Sequence, residues 1–414
     1  MTHESPTPQA PLPPAPPLPP LPPRRSARPA PSAKGRIVLL VTVWLMLGLQ
    51  GLTSHASLAD NPLVISVTGA AGGILAVQVQ VLVTLLLGRL GGQTPTLLMV
   101  GTGRLLRVGR VGRVGVAVRP IPLLPLQACT TIVAGPGLRS RLLLGGLART
   151  LVPGAMGAAL LLAAPSPLRY LGLGALVLAL LMLVAGAKQA GSTAWMVFRA
   201  PFADARLLGQ LAADPAEVAA QRALMGGRLD EARTAVASVR ADTLMGVRLR
   251  VGVAIADGRY RDALTTMTTA RAERERLPES SGGELLVARA ALFGVEAGEF
   301  AREEVQAVLS GALAEAALRI PRLIAASDIP ATQALLEGRT AEALALARAS
   351  VRKPTDLQTR AYALCTLAAA QAVTGDQPAA RATLASAAAL TPGLARVATV
   401  DRLITDLPLT RDRA

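Results

Sequence analysis

The amino-acid sequence predicts an all-α fold in two unlike halves: a polytopic α-helical membrane domain of about four spans, with a short membrane-surface β segment, followed by an α-helical repeat domain. Three observations predict it. Between Asn61 and Ala203 there is no Asp, Glu or His, while twelve basic residues are scattered through the stretch. An uncharged run of 25 residues, Leu63–Leu87, precedes the first of those basic positions and shorter apolar runs separate later ones, and about 20 apolar residues suffice for a helix to cross a bilayer. From Asp204 onward a glycine-centred turn returns every 31 to 40 residues, as in chains built from stacked helical units.

Charge divides the same way. The net charge is +16, yet residues 204–414 hold 25 of the 27 acidic and 26 of the 43 basic residues and are nearly neutral. The excess therefore belongs to the first 203 residues, where the cations flank apolar runs. Anionic lipid headgroups near the Arg-rich loop are the expected partner, and no nucleic acid is expected. The two cysteines, Cys129 and Cys365, fall one in each half, too few for a disulfide framework or a thiolate cluster. Arginine outnumbers lysine 40 to 3 among abundant Ala, Leu and Gly, a composition of high-GC bacteria, so a multi-pass protein of a bacterial cytoplasmic membrane is expected.

Taken in order, residues 1–36 form a tail whose Pro6–Pro31 stretch alternates proline with Ala and Leu and cannot supply helix hydrogen bonds. A spacer is the expected role. Domain two covers residues 37–203. Its first span is Ile37–Thr53, 17 uncharged residues preceded by five basic ones. Ser54-His55-Ala56 resembles a signal-peptide cleavage site, but the preceding tail is far longer than a normal leader allows, which favours a retained anchor. The second span is Leu63–Leu87. A third apolar run, Leu151–Ala164, is only 14 residues long and contains Pro153 and Gly154, so a kinked, partly re-entrant or upstream-extended segment is expected. The fourth runs from Tyr170 to Ala187, after a tight turn at Pro165-Ser166-Pro167. Between the second and third spans, Arg107–Arg119 reads RVGRVGRVGVAVR; valine favours strands and each glycine weakens a helix, which predicts a membrane-surface sheet or loop. Trp195, Phe198 and Arg199 are expected to anchor the chain at the interface. Basic flanks place both termini in the cytosol.

Residues 204–414 make the third domain. Its turns are Gly227-Arg228-Leu229-Asp230-Glu231-Ala232 and Gly258-Arg259-Tyr260-Arg261-Asp262-Ala263, with weaker copies at Gly298, Gly338 and Gly375. Each lies between alanine-rich amphipathic segments, and glycine lets one helix reverse into the next. The stretch from Asp214 to Pro392 resembles the tetratricopeptide class, without its consensus tryptophan; an irregular helical bundle is the alternative. Asp230, Glu231 and Asp262 are expected on solvated surfaces.

Within the membrane half, Gln80-Val81-Leu82-Val83-Thr84, then Gly88-Arg89-Leu90-Gly91-Gly92, Val100-Gly101-Thr102-Gly103, Ala134-Gly135-Pro136 and Ala203-Asp204-Ala205 resemble in order and spacing the site-2 protease family of intramembrane zinc metallopeptidases. The resemblance implies that Gln80 and Thr84 stand at two histidine ligand positions, Val81 at the glutamate, and Asp204 at the third ligand. Zinc hydrolysis needs about three protein ligands and a base. Three of those four residues cannot serve, and His3 and His55 lie outside the region. No catalytic, cofactor-binding or metal-binding residue is therefore assigned and no cofactor is expected. Gln80 and Thr84, with Gln78 nearby, are expected to make a hydrogen bond between helices.

The expected function is that of a catalytically inactive, site-2-protease-like adapter whose repeats bind a cytosolic or membrane protein partner. The alternatives are an active intramembrane metallopeptidase with atypical ligands, or a transporter or channel component. A transporter would place ionisable groups at mid-membrane, whereas the cations here gather at the ends of the apolar runs.

Overall fold

The computed structural model describes residues 62–406, apart from 102–104, 113, 121–126, 166–167, 185–189, 241, 274–282 and 355. The proline-rich tail, the run Ile37–Thr53 and most of the turn at Pro165-Ser166-Pro167 lie outside the described residues. The chain is mostly helical, as expected, and its β segment is a four-stranded sheet, more extensive than the short one expected.

Three apolar helices come first: α1 (Pro62–Leu87), α2 (Leu138–Ala163) and α3 (Leu168–Val184). Two helical segments, Val64–Leu87 and Leu138–Ala163, are long and apolar enough to cross a membrane by length and composition, and α3 is a shorter apolar helix. The 14-residue run at Leu151 is thus the second half of a helix that starts at Leu138 and carries Pro153 inside it. Glycine brings these helices into backbone contact. A Cβ placed on Gly174 of α3 would lie 1.9 Å from the Gly69 carbonyl oxygen of α1, and one on Gly172 would lie 2.5 Å from the Leu161 nitrogen of α2. Such close approach brings the backbones of neighbouring helices into direct contact and raises the dispersion attraction between them. On the outer faces Leu86, Leu162 and Val184 are strongly exposed.

Strands β1 (Gln93–Val100), β2 (Arg107–Val111), β3 (Val114–Val118) and β4 (Gln127–Ile132) lie in the order β2-β3-β1-β4. The Val-Gly repeat expected to be sheet or loop is the antiparallel β2–β3 pair, turned at Gly112 with φ 58°. β1 runs parallel to β3 and antiparallel to β4. Beyond β4, Val133 pairs with Ala213 in a parallel bridge.

Between α3 and that bridge come α4 (Thr193–Phe198), a 3-10 turn (Ala200–Phe202) and α5 (Ala205–Leu211). Trp195 is only 5% exposed and packs with Ile132, Leu142 and Ala200, so it is a core residue and not the interfacial anchor expected. Phe198 and Phe202 are the aromatic rings left exposed here.

The remaining helices pair as hairpins. α6 (Pro215–Met225) and α7 (Leu229–Ala237) are followed by α8 (Leu244–Ala256) and α9 (Tyr260–Glu273), then by α10 (Gly283–Glu296) and α11 (Arg302–Arg319). After the short α12 (Pro321–Ala326) come α13 (Ile329–Leu336) with α14 (Thr340–Ser350), and α15 (Leu357–Val373) with α16 (Gln377–Leu390). α17 (Ala395–Asp406) ends the described chain. All five glycines singled out in the sequence have positive φ, from 69° at Gly227 to 89° at Gly375. Around each, the same two hydrogen bonds recur: the glycine N–H donates to the carbonyl three residues back, and the next N–H to the one five residues back, as in Gly227 to Leu224 and Arg228 to Ala223. That is the Schellman stop, whose left-handed residue carries no Cβ penalty only when it is glycine.

Helices α8, α10 and α15 form an inner layer buried nearly all round, with the aromatic rings of Tyr260, Phe293 and Tyr362 in sequence along it. The array also meets itself end to end. A Cβ on Gly227 would lie 2.4 Å from the Leu390 carbonyl oxygen, and one on Gly258 would lie 2.9 Å from Cβ of Ala395. One continuous core runs from Ala220 to Ile404.

Candidate functional site

One helical turn separates Gln80 from Thr84 near the carboxyl end of α1, which puts both on one face. Gln80 Nε2 donates to Thr193 Oγ1 on α4 at 2.8 Å. This is the inter-helix hydrogen bond the polar face led us to expect. Thr84 Oγ1 donates back to the Gln80 carbonyl at 2.8 Å, and Val81 is buried. The third position of the peptidase resemblance is elsewhere: Asp204 is exposed, caps α5 and accepts from the Arg206 N–H at 2.6 Å. Gln80 and Thr84 are therefore brought together, and Asp204 does not line the crevice beside them. Among the described residues no group of three His, Cys, Asp or Glu side chains is placed to hold a metal ion.

That crevice, about 10 Å³, lies where the carboxyl end of α1 and the middle of α2 approach. Thr84, Gly88, Gly91, Gln93, Gly145, Arg149 and Met196 are among its lining residues. Its walls are close because Gly91 and Gly145 face each other; a Cβ on either would lie within 2.9 Å of the other's Cα. Gln93 is fixed by donating to the Gly191 carbonyl at 3.2 Å and accepting from Thr130 at 3.4 Å. Arg149 is 9% exposed and its guanidinium donates to Met196 Sδ at 3.8 Å. In the sequence Arg149 has the look of a flanking charge, since a cation two residues before an apolar run resembles an interfacial residue. Only the upstream start of α2 moves it inside.

A second region lies in the array. A groove of about 790 Å³ between α7, α8 and α9 is lined by Val236, Val253, Arg250, Arg259, Arg261 and Thr265, among others. Its cations are tied: Arg250 to the Val239 carbonyl, Arg259 to Asp257 and Asp262, Arg261 to Glu304. Asp230, Glu231 and Asp262 have well-exposed side chains, as expected.

Deeper in the array lies a cluster that charge counting missed. Arg396, fully buried, donates to Glu296 at 2.7 and 3.1 Å, to Asp328 at 3.4 Å and to the Tyr362 carbonyl at 3.1 Å. Its guanidinium carbon stands 3.7 Å from the Phe293 ring centroid. Arg289 holds the other side of Asp328 at 2.8 Å. The signal was there: Arg396, Thr399, Val400 and Ile404 share the buried stripe of α17, so helical spacing places the arginine on the apolar face.

The array and the sheet are joined. The Leu105 N–H donates to the Arg352 carbonyl at 2.9 Å, Arg119 to the Lys353 carbonyl at 3.3 Å, and Arg222 to the Pro95 carbonyl at 3.0 Å. Thr131 Oγ1 donates to Gln221 at 2.8 Å, and Ala213 exchanges backbone bonds with Ile132 and Ala134.

Compared with models of known protein families, with curated proteins and with solved structures, the chain matches none.

Proposed function

We propose that this chain is a membrane-anchored adapter: a catalytically inactive relative of the site-2 protease family whose tetratricopeptide-like helical array binds a protein partner at the cytosolic face. The observation that carries the reading is the join between array and sheet. Backbone bonds from Leu105 and Ala213, with side-chain bonds from Arg119, Thr131 and Arg222, hold the array against the strands that follow α1. An array fixed in this way offers a partner a defined place beside the membrane, which is what an adapter requires. In the same reading the chain crosses the bilayer about four times, by Ile37–Thr53, α1, α2 and α3, with both termini cytosolic. The groove of about 790 Å³ beside Val253 and Thr265 is the partner's seat.

The loss of peptidase chemistry follows from residue type. An amide, a valine and a threonine at positions 80, 81 and 84 supply neither two imidazole ligands nor a general base. The purified full-length protein is expected to carry no stoichiometric zinc by elemental analysis, and about one zinc per chain would defeat the reading. Gln80→His, Val81→Glu and Thr84→His together are expected to raise zinc affinity; no gain would remove the ancestry and leave the anchored array. Partner binding is tested by capture with the full-length protein beside Thr265→Trp, which fills the groove at an exposed position. A partner retained equally by both would put the docking face elsewhere.

A further inference from the structure

Two buried guanidinium groups in the array, Arg396 and Arg289, are each met by carboxylates. Arg149 is not. It is as enclosed as a core residue, yet its hydrogen bond goes to a thioether sulfur, a weak acceptor for a group with five N–H donors. No Asp or Glu occurs between residues 61 and 203, and none lines the crevice that Arg149 faces. Neither of the other polar side chains there accepts from Arg149: Thr84 donates to the Gln80 carbonyl, and Gln93 donates to the Gly191 carbonyl while its Oε1 accepts from Thr130. A buried cation without a counter-charge is strongly disfavoured, because burial removes its hydration and nothing replaces it, so its retention calls for an anion supplied from outside the chain.

We propose that Arg149 is an anion-binding residue that receives one oxygen of a phosphate group. The size of the crevice sets the ligand. At about 10 Å³ it admits roughly one water-sized group, so a single oxygen enters and the rest of the ligand stays outside. Guanidinium pairs with phosphate oxygens through short charge-assisted hydrogen bonds and is more readily desolvated than an ammonium. The crevice lies beside Gly88 and Gly91, between which Arg89 and Leu90 are exposed, and Arg141 donates to the carbonyls of both. This is the arginine-rich end of α1, where phosphates of the lipid surface are the concentrated anions. A lipid phosphate and free inorganic phosphate share the chemistry. Only the choice of lipid as the source rests on the membrane-spanning reading, and neither partner binding nor the peptidase resemblance enters.

The test is thermal unfolding of full-length protein in a nonionic detergent, for wild type, Arg149→Met and Arg149→Lys. Phosphatidylglycerol is titrated against dioleoylglycerol, which lacks the phosphate, and sodium phosphate against sodium chloride at equal ionic strength. Phosphatidylglycerol is expected to raise the wild-type midpoint saturably by about 5 °C, with dioleoylglycerol inert, Arg149→Met unresponsive and Arg149→Lys responding weakly. The same shift with sodium phosphate would make free phosphate the source and support the site. Equal shifts with both lipids, an unchanged response in Arg149→Met, or no response to either phosphate would overturn it. Should Arg149→Met fail to fold, the wild-type comparison of the two lipids decides alone.

Discussion

Arg396 shows how much one side chain can hold in place. Its guanidinium neutralises Glu296, shares Asp328 with Arg289 and lies over Phe293. Breaking a buried pair by removing one partner costs about 3–5 kcal/mol, because the remaining charge is left uncompensated. Arg396→Met is therefore expected to destabilise the array by roughly that amount in urea unfolding. Adding Glu296→Gln should recover much of the loss, since Asp328 keeps Arg289; a double variant no better than the single one would place the energy in packing. Cys365 gives a second residue-scale outcome. Burial pushes its thiol up to about 12, against about 8.5 in an unfolded chain. The folded state thus keeps a proton that the unfolded state releases, and stability present below about pH 8.5 is lost as pH rises toward 12. In the isolated array, Cys365→Ala should flatten the fall that begins at about pH 8.5, before the buried Tyr260 and Tyr362, whose unfolded-state ionisation lies at about pH 10, add their own loss. An unchanged slope would assign it to another group.

Among elements, those marked by a local backbone demand were legible. Gly227, Gly258, Gly298, Gly338 and Gly375 stop helices because each adopts positive φ, a need that acts over a few residues and shows in the sequence. The Val-Gly run gave β2 and β3 for the same reason. β1 and β4 did not announce themselves: QTPTLLMV and QACTTI acquire their strand character by pairing with each other across 28 to 39 positions, which is tertiary information. Upstream extension of α2 was one of three expectations for the short run at Leu151 and is the one found, but where it would start could not be read across Arg139, Arg141 and Arg149, and the crevice went unseen with it. Gln80 and Thr84 were placed correctly on one face, while Thr193 and Arg149, their surroundings, come from distant elements. Contacts between the apolar helices carry their own prediction. Gly174→Ala puts a methyl against the Gly69 carbonyl, so α1 and α3 must move apart; overpacking of this kind costs about 1–3 kcal/mol. A lowered unfolding midpoint of the full-length protein in detergent is expected, and an unchanged midpoint would show that the two helices part freely.

At the scale of the molecule, the array meets its own beginning: the turn at Gly227 rests on the end of α16, the turn at Gly258 on Ala395, and Arg233 reaches the Gly393 carbonyl at 3.4 Å. Open helical arrays unfold by fraying repeat by repeat, since each unit contacts only its neighbours. Here removal of α17, by a stop after Thr391, takes Arg396 from the centre as well as a helix from the edge. Loss of the sharp thermal transition is expected by circular dichroism; a loss of signal limited to one helix, with the transition kept, would show independent units.

The same contact also bears on how such a chain can change length. An open array gains or loses a unit by duplication or deletion without disturbing the others, and its length can follow the size of what it binds. In this one, an added hairpin would carry Leu390 and Ala395 away from Gly227 and Gly258, and a missing one would drive them past. The number of repeats is set from within, by the requirement that the last turn arrive at the first.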